Sequence, residues 1–185
     1  MDPDRPLDDQ ESSALLRFAR ETLEASCAGR PLPTSEGLSG RLLDPGATFV
    51  TIERRDGSLR GCIGMIEPVE SLARSVQEMT IAAAHRDPRF PPVEAHELDD
   101  LRLSLSVMHP SRPLSSIDEI VIGRHGLIVE RGARKGLLLP QVAERLGWDR
   151  ETFLDQTCAK AGLEKGCWRD PSTRVELFAA DVYGR

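Results

Sequence analysis

Thr48-Phe49-Val50-Thr51-Ile52-Glu53-Arg54, then Arg55-Asp56-Gly57-Ser58, then Leu59-Arg60-Gly61-Cys62-Ile63-Gly64-Met65 is the stretch that decides the fold. The first seven residues are rich in β-branched and aromatic side chains, and the next four supply a glycine-containing turn. Leu59 to Met65 then returns as a second strand, so residues 48–65 are expected to form a β-hairpin. Working outward, Leu101 to Met108 alternates Leu101, Leu103, Leu105 and Val107 against Arg102, Ser104 and Ser106, the pattern of a half-buried strand. Ile120–Ile122 and Leu127–Glu130 flank Gly123-Arg124-His125-Gly126 and predict a second hairpin with His125 in its turn. Arg174 to Val182 alternates again and should rejoin the sheet. Successive hairpins require antiparallel pairing, which points to an α+β fold.

Helices fill the intervals. Asp8 to Gly29 carries Leu15, Leu16, Phe18, Leu23 and Cys27 at helical spacing. Residues 30–46, with three prolines and three glycines, read as a surface loop. Pro68 opens a helix with Leu72, Val76, Met79 and Ala83 on its apolar side; it should stop near Asp87, because the residue before Pro88 is pushed out of the α region. Leu137 to Leu146, closed by Gly147, and a helix capped by Asp149 that runs to Gly162 complete the set.

Of the 185 residues, 39% are hydrophobic and 29% charged, which is ordinary globular usage. Residues 1–11 are expected to be a flexible N-terminus and 12–185 one domain, with room for two lobes that share a cleft. No run is long and apolar enough to span a bilayer and the N-terminus is acidic, so a cytoplasmic protein away from membranes is expected. The net charge of -6 argues against nucleic acid as a partner. One basic group, Arg124, Arg131, Arg134 and Lys135, can hold a single phosphate or carboxylate or stand as a solvated hairpin. The four cysteines, Cys27, Cys62, Cys158 and Cys167, lack any C-x-x-C spacing and are expected to be free thiols.

Chemistry concentrates in Leu59 to Met65. Strand alternation puts Leu59, Ile63 and Met65 on one face and Arg60 with Cys62 on the other. With the apolar face on the core, the thiol looks outward beside a permanent cation, a setting that favours the reactive thiolate. Gly61 and Gly64 clear space for a ligand or a second backbone. The segment Ala84-His85-Arg86-Asp87-Pro88-Arg89-Phe90-Pro91-Pro92 is stiff, and can fix Asp87 and Arg89 for binding or simply pair them with each other and the backbone.

Several blocks carry a family resemblance: Leu-Arg-Gly-Cys-Ile-Gly at 59–64, Asp-Pro-Arg-Phe at 87–90, Ile-Gly-Arg-His-Gly-Leu at 122–127, Leu-Leu-Pro-Gln-Val-Ala at 138–143 and Lys-Ala-Gly-Leu at 160–163. Together they resemble the AMMECR family, whose prokaryotic members are also called AmmeMemoRadiSam system protein A. The resemblance implies a mainly antiparallel, barrel-like sheet with flanking helices and duplicated strand-and-helix units, and a functional surface at the six-residue signature. It implies companions of the Memo type and of the radical SAM class, and it names no cofactor or settled reaction.

Three readings follow. In an enzyme, Cys62 is nucleophile or ligand, His125 base or acid, and Arg60, Gly61, Gly64, Asp87 and Arg89 bind a small molecule or peptide. In a non-catalytic interaction module, the Arg60–Gly64 surface and the Asp87–Pro92 segment bind a partner. A metal held by Cys62 with His125 or Asp87 is the third, without the usual ligand spacing.

Overall fold

The computed structural model describes residues 5–184, which fall into two compact units, one of residues up to Met108 together with those from Asp181, the other His109–Ala180. Residues 1–4 of the expected flexible terminus lie outside the described residues. From Leu7 onward the chain is held: Leu7 is buried and donates its N–H to the Tyr183 hydroxyl at 2.8 Å.

The first unit begins with helix α1, Asp9–Cys27. Asp8 accepts from the Glu11 N–H while the Glu11 carboxylate accepts from the Asp8 N–H, a reciprocal cap that fixes the start. Strands β1, Thr48–Arg54, and β2, Leu59–Gly64, form the expected hairpin. Its turn is set by Gly57 at φ +84° and by Asp56 accepting from the Ser58 N–H at 2.8 Å. Helix α2, Leu72–His85, starts later than Pro68 suggests, because Ser71 supplies the N-cap by accepting from the Arg74 N–H. Strand β3, Leu101–Met108, pairs with β1, giving the antiparallel order β2-β1-β3.

One face of this sheet carries Val50, Ile52, Leu103 and Leu105, which pack with Leu15, Leu23, Leu72 and Val76 of the two helices. Gly61 belongs to that face. A Cβ there would collide with the Ala83 carbonyl oxygen, so the glycine lets α2 lie backbone to backbone on β2. Gly61→Ala is expected to cost about 1–3 kcal/mol, read as a lowered urea midpoint with unchanged slope.

The second unit contains β4, Arg112–Pro113, β5, His125–Arg131, β6, Arg134–Leu138, and the long closing strand β7, Arg174–Tyr183, whose last three residues belong to the first unit. β5 pairs with β6 on one side and β7 on the other, and β4 pairs with β7, all antiparallel. Helices α3, Pro140–Leu146, and α4, Arg150–Lys160, follow. Their core joins Ile120, Leu127, Phe153, Leu154 and Leu177.

The second hairpin is displaced: its turn is Gly132-Ala133, with Gly132 at φ +62°, and residues 120–122 are no strand. His125 therefore opens a strand instead of sitting in a turn. The cysteines are not all free either. Cys158 and Cys167 form a disulfide with their Cα atoms 6.2 Å apart, leaving Cys27 and Cys62 as thiols. Gly162 and Gly166, both at positive φ, turn the chain after α4 so that residue 167 comes back against residue 158, a return that spacing alone does not reveal. Among the described residues no helix is long and apolar enough to cross a membrane.

Candidate functional site

Cys62 lies on β2, opposite Thr51 of β1, on the face of the sheet away from the helices. Its sulfur is 3.3 Å from the Thr51 hydroxyl oxygen and is half-buried. In an antiparallel pair, residues directly opposite alternate between bonding inward to each other and bonding outward. Cys62 bonds outward. Its N–H donates to Asp87 Oδ2 at 2.9 Å, and its carbonyl accepts from Arg89 Nη2 at 3.2 Å.

Asp87 and Arg89 thus act on β2 as an extra strand would, presenting one acceptor and one donor to an open sheet edge. The two side chains are locked together: Arg89 Nε donates to Asp87 Oδ1 at 2.9 Å and Nη2 to Oδ2 at 2.7 Å, while the Arg89 N–H adds a bond to Oδ1 at 3.1 Å. The Arg89 guanidinium and these N–H donors hold the Asp87 carboxyl far below the usual carboxylate range, against the opposing effect of burial. With both oxygens engaged and only 4% of the residue exposed, Asp87 has little left for an outside ligand. Arg89 differs, since its side chain is 53% exposed and lies over the Phe90 ring, 5.5 Å from the centroid.

Arg60 does not stand in the open beside Cys62 as strand alternation predicts. The pairing passes from Ile52 opposite Gly61 to Glu53 opposite Leu59, so Arg60 is the extra residue of a β-bulge. Its side chain, 3% exposed, turns inward to Glu97, with Nε to Oε1 at 2.8 Å and Nη2 to Oε2 at 2.9 Å. Two more bonds go to the Pro91 and Pro92 carbonyls. Hydrogen bonding from Arg60 holds the Glu97 carboxyl at about 2. The permanent cation next to Cys62 is Arg89. Gly64 is also filled from within, since the Phe49 ring lies over it where a side chain would stand.

His125 lies in the second unit, apart in the chain's division from Cys62, Asp87 and Arg89. Its Nδ1 accepts from the Val121 N–H at 3.1 Å, and burial pushes its pKa down. Three of the four residues of the basic group are paired: Arg131 bridges Glu164 and Asp170, Arg134 donates to the Gly162 carbonyl, and Lys135 faces Glu130 at 3.9 Å. Among the described residues no cluster of three His, Cys, Asp or Glu side chains is arranged to hold a metal ion.

Thr51 and Glu97 were missed from sequence. Thr51 could have been found by following the outward-facing positions of β1, but matching it to Cys62 needs the register. Glu97 sits in an ordinary acidic stretch and becomes distinctive only through the inward turn of Arg60.

The arrangement at Cys62 is a rigidly placed thiol with a hydroxyl at hydrogen-bond distance and a fixed guanidinium on its backbone, and comparison with known proteins assigns it a lineage. The AMMECR1 family model matches residues 16–183, nearly the whole chain. The chain belongs to the AMMECR1 family. It is 45% identical to a protein of Methanothermobacter thermautotrophicus, with 96% of each chain covered. It is 42% identical to one from Thermococcus gammatolerans, covering 95% of this chain and 90% of that one. The crystal structure of the uncharacterized protein PH0010 from Pyrococcus horikoshii superposes with a TM-score of 0.88 at 37% identity, covering 97% of this chain and 95% of that one. Within the matched region, residues 59–64 hold the bulged Arg60, the backbone contact at Gly61 and the clamped Cys62 in one strand.

Proposed function

We propose that this AMMECR1 chain is the cysteine-bearing component of a cytoplasmic enzyme system, with Cys62 as its reacting or ligand-holding side chain and Memo-type and radical SAM proteins as its companions. The observation that carries this reading is the clamp. Asp87 and Arg89 fix the Cys62 peptide while leaving its sulfur half-open, with Thr51 able to donate to a thiolate. The two clamp bonds engage the Cys62 peptide, and Thr51 is the partner of the sulfur itself. No base is hydrogen-bonded to the sulfur among the described residues of its own unit, so the geometry favours a thiol that accepts a group presented by a companion over a self-sufficient hydrolase. The companions rest on the family resemblance.

Iodoacetamide labelling of the folded protein at mildly acidic pH tests this, followed by peptide mass spectrometry. Burial pushes the Cys27 thiol up, so it forms little thiolate. Cys62 is expected to label at least about tenfold faster than Cys27, and Thr51→Val is expected to slow Cys62 alone. Equal rates for the two thiols would remove the support for a reactive Cys62.

A second reading is favoured by the exposed Arg89 stacked on Phe90 and stiffened by the following prolines: the same surface serves capture of a protein partner without chemistry. Cys62→Ser that keeps full capture of a Memo-type companion, and full activity of the combined system, selects that reading.

A further inference from the structure

Part of the Arg89 guanidinium is unused by the clamp. Its Nε and Nη2 are engaged by the Asp87 carboxylate and the Cys62 carbonyl, while Nη1 has no hydrogen-bond partner among the described residues. An exposed arginine ordinarily loses rotamer freedom when it binds an anion. Arg89 has lost it already, because three side-chain hydrogen bonds and the Phe90 ring hold it in place. One of those bonds ends on the peptide of Cys62 itself, so the free N–H groups keep a fixed position relative to the thiol. Hydrogen bonding to Asp87 raises the Arg89 pKa, and an ionised Cys62 sulfur adds to the rise, which places the sulfur within the field of the guanidinium.

The rest of the surface beside the sulfur also suits negative charge. Across the sheet from Cys62, the outward row continues with Thr51 and then Ser104, two hydroxyls that are partly exposed. The carboxylates of this face are matched by arginines. Both Asp87 oxygens are engaged, and Glu53, the next outward residue of β1, stands opposite Arg102 of β3. Hydroxyls and free guanidinium N–H groups are the donors that carboxylates and phosphates take.

Resting on the reading of Cys62 as the reacting side chain, we propose that the molecule presented to it is an anion, a carboxylate or a phosphate ester, whose charged oxygen accepts from Arg89 Nη1 while its reacting end faces the sulfur. Arg89 then has two roles: Nη2 holds the Cys62 peptide, and Nη1 selects what approaches the thiol.

Iodoacetate and iodoacetamide test this, since they differ in the charge of the group that would meet Arg89. With each, the thiolate forms an S–C bond and iodide leaves, so the ratio of the two rates at one cysteine cancels the thiolate fraction and reports the preference for an anion. A free thiolate repels the anionic reagent. At low salt, the iodoacetate-to-iodoacetamide ratio at Cys62 is expected to exceed that of free cysteine about tenfold, the effect of one charge-assisted hydrogen bond. Arg89→Gln should return it to the free value, and Arg89→Lys should keep part of the gain. In the parent protein at constant ionic strength, acetate or inorganic phosphate should protect Cys62 from iodoacetate; the better protector tells a carboxylate from a phosphate, and this arm stands even if Arg89→Gln does not fold. If Cys62 reacts fast with iodoacetamide but its ratio equals that of free cysteine, or is unmoved in folded Arg89→Gln, or neither anion protects, the anion is overturned and the reactive cysteine survives. An iodoacetamide rate at Cys62 no faster than at Cys27 overturns both.

Discussion

Glu97→Gln is expected to destabilise the protein by roughly 3–5 kcal/mol, the range for breaking a buried ion pair from one side. Arg60 is the reason for so large an effect. Its guanidinium stays charged at any accessible pH and is almost fully enclosed. Removing the carboxylate leaves it only the Pro91 and Pro92 carbonyls and a neutral amide. Replacing both partners with methionine should recover part of the loss, since no charge then remains to be buried. The pH dependence has a defined sign. Glu97 is held at about 2 in the folded protein by Arg60, below the ordinary carboxylate value. Its contribution is therefore complete above the ordinary carboxylate range and is lost as pH falls toward 2. Asp87, shifted the same way, adds to that acid limb without depending on Glu97. Urea titrations followed by far-UV circular dichroism should show a wide gap between parent and Glu97→Gln at pH 7 that narrows toward pH 3. A gap below about 1 kcal/mol at pH 7 would place Arg60 among surface cations and contradict its enclosure.

The bulge that buries Arg60 also marks how far the sequence could be read. The first hairpin was legible because Gly57 must take a positive φ between two runs of β-formers, and β3 because its alternation is strict. Which residue of β2 is supernumerary depends on pairing with β1, and no property of Leu59–Met65 alone encodes it. Alternation therefore placed Cys62 on the outward face and misplaced its neighbour Arg60. The second hairpin failed for a related reason. Gly123 does turn the chain, with the Val121 carbonyl accepting from the Arg124 and His125 N–H groups, but residues 120–122 find no partner strand, and reversal waits for Gly132. The stiffness of Asp87–Pro92 was readable from its prolines. Its target, the Cys62 peptide, was not, because a side chain capping a strand edge leaves no periodic trace.

Removing the Cys158–Cys167 disulfide is the second large effect, about 3 kcal/mol from the added freedom of the unfolded chain. Both cysteines are buried within a small cluster with Val129, Ala161 and Leu163, where the bond closes a short loop between the end of α4 and the turn carrying Trp168. That loop includes Glu164, the carboxylate that pairs with Arg131, and Gly166, whose N–H donates to Asp155. Cys167→Ala should therefore loosen these contacts along with the crosslink. The melting temperature should fall by roughly 10–20 °C for a unit of this size, and the amides of Val129 and of residues 161–163 should lose protection from hydrogen exchange. The intact protein treated with a strong thiol reductant should reach the same lowered midpoint. If Cys167→Ala melted within a degree or two of the parent, the bond would add little to holding the turn, and the placement of Trp168 would have to come from its Asp155 hydrogen bond and the Arg169 stack alone.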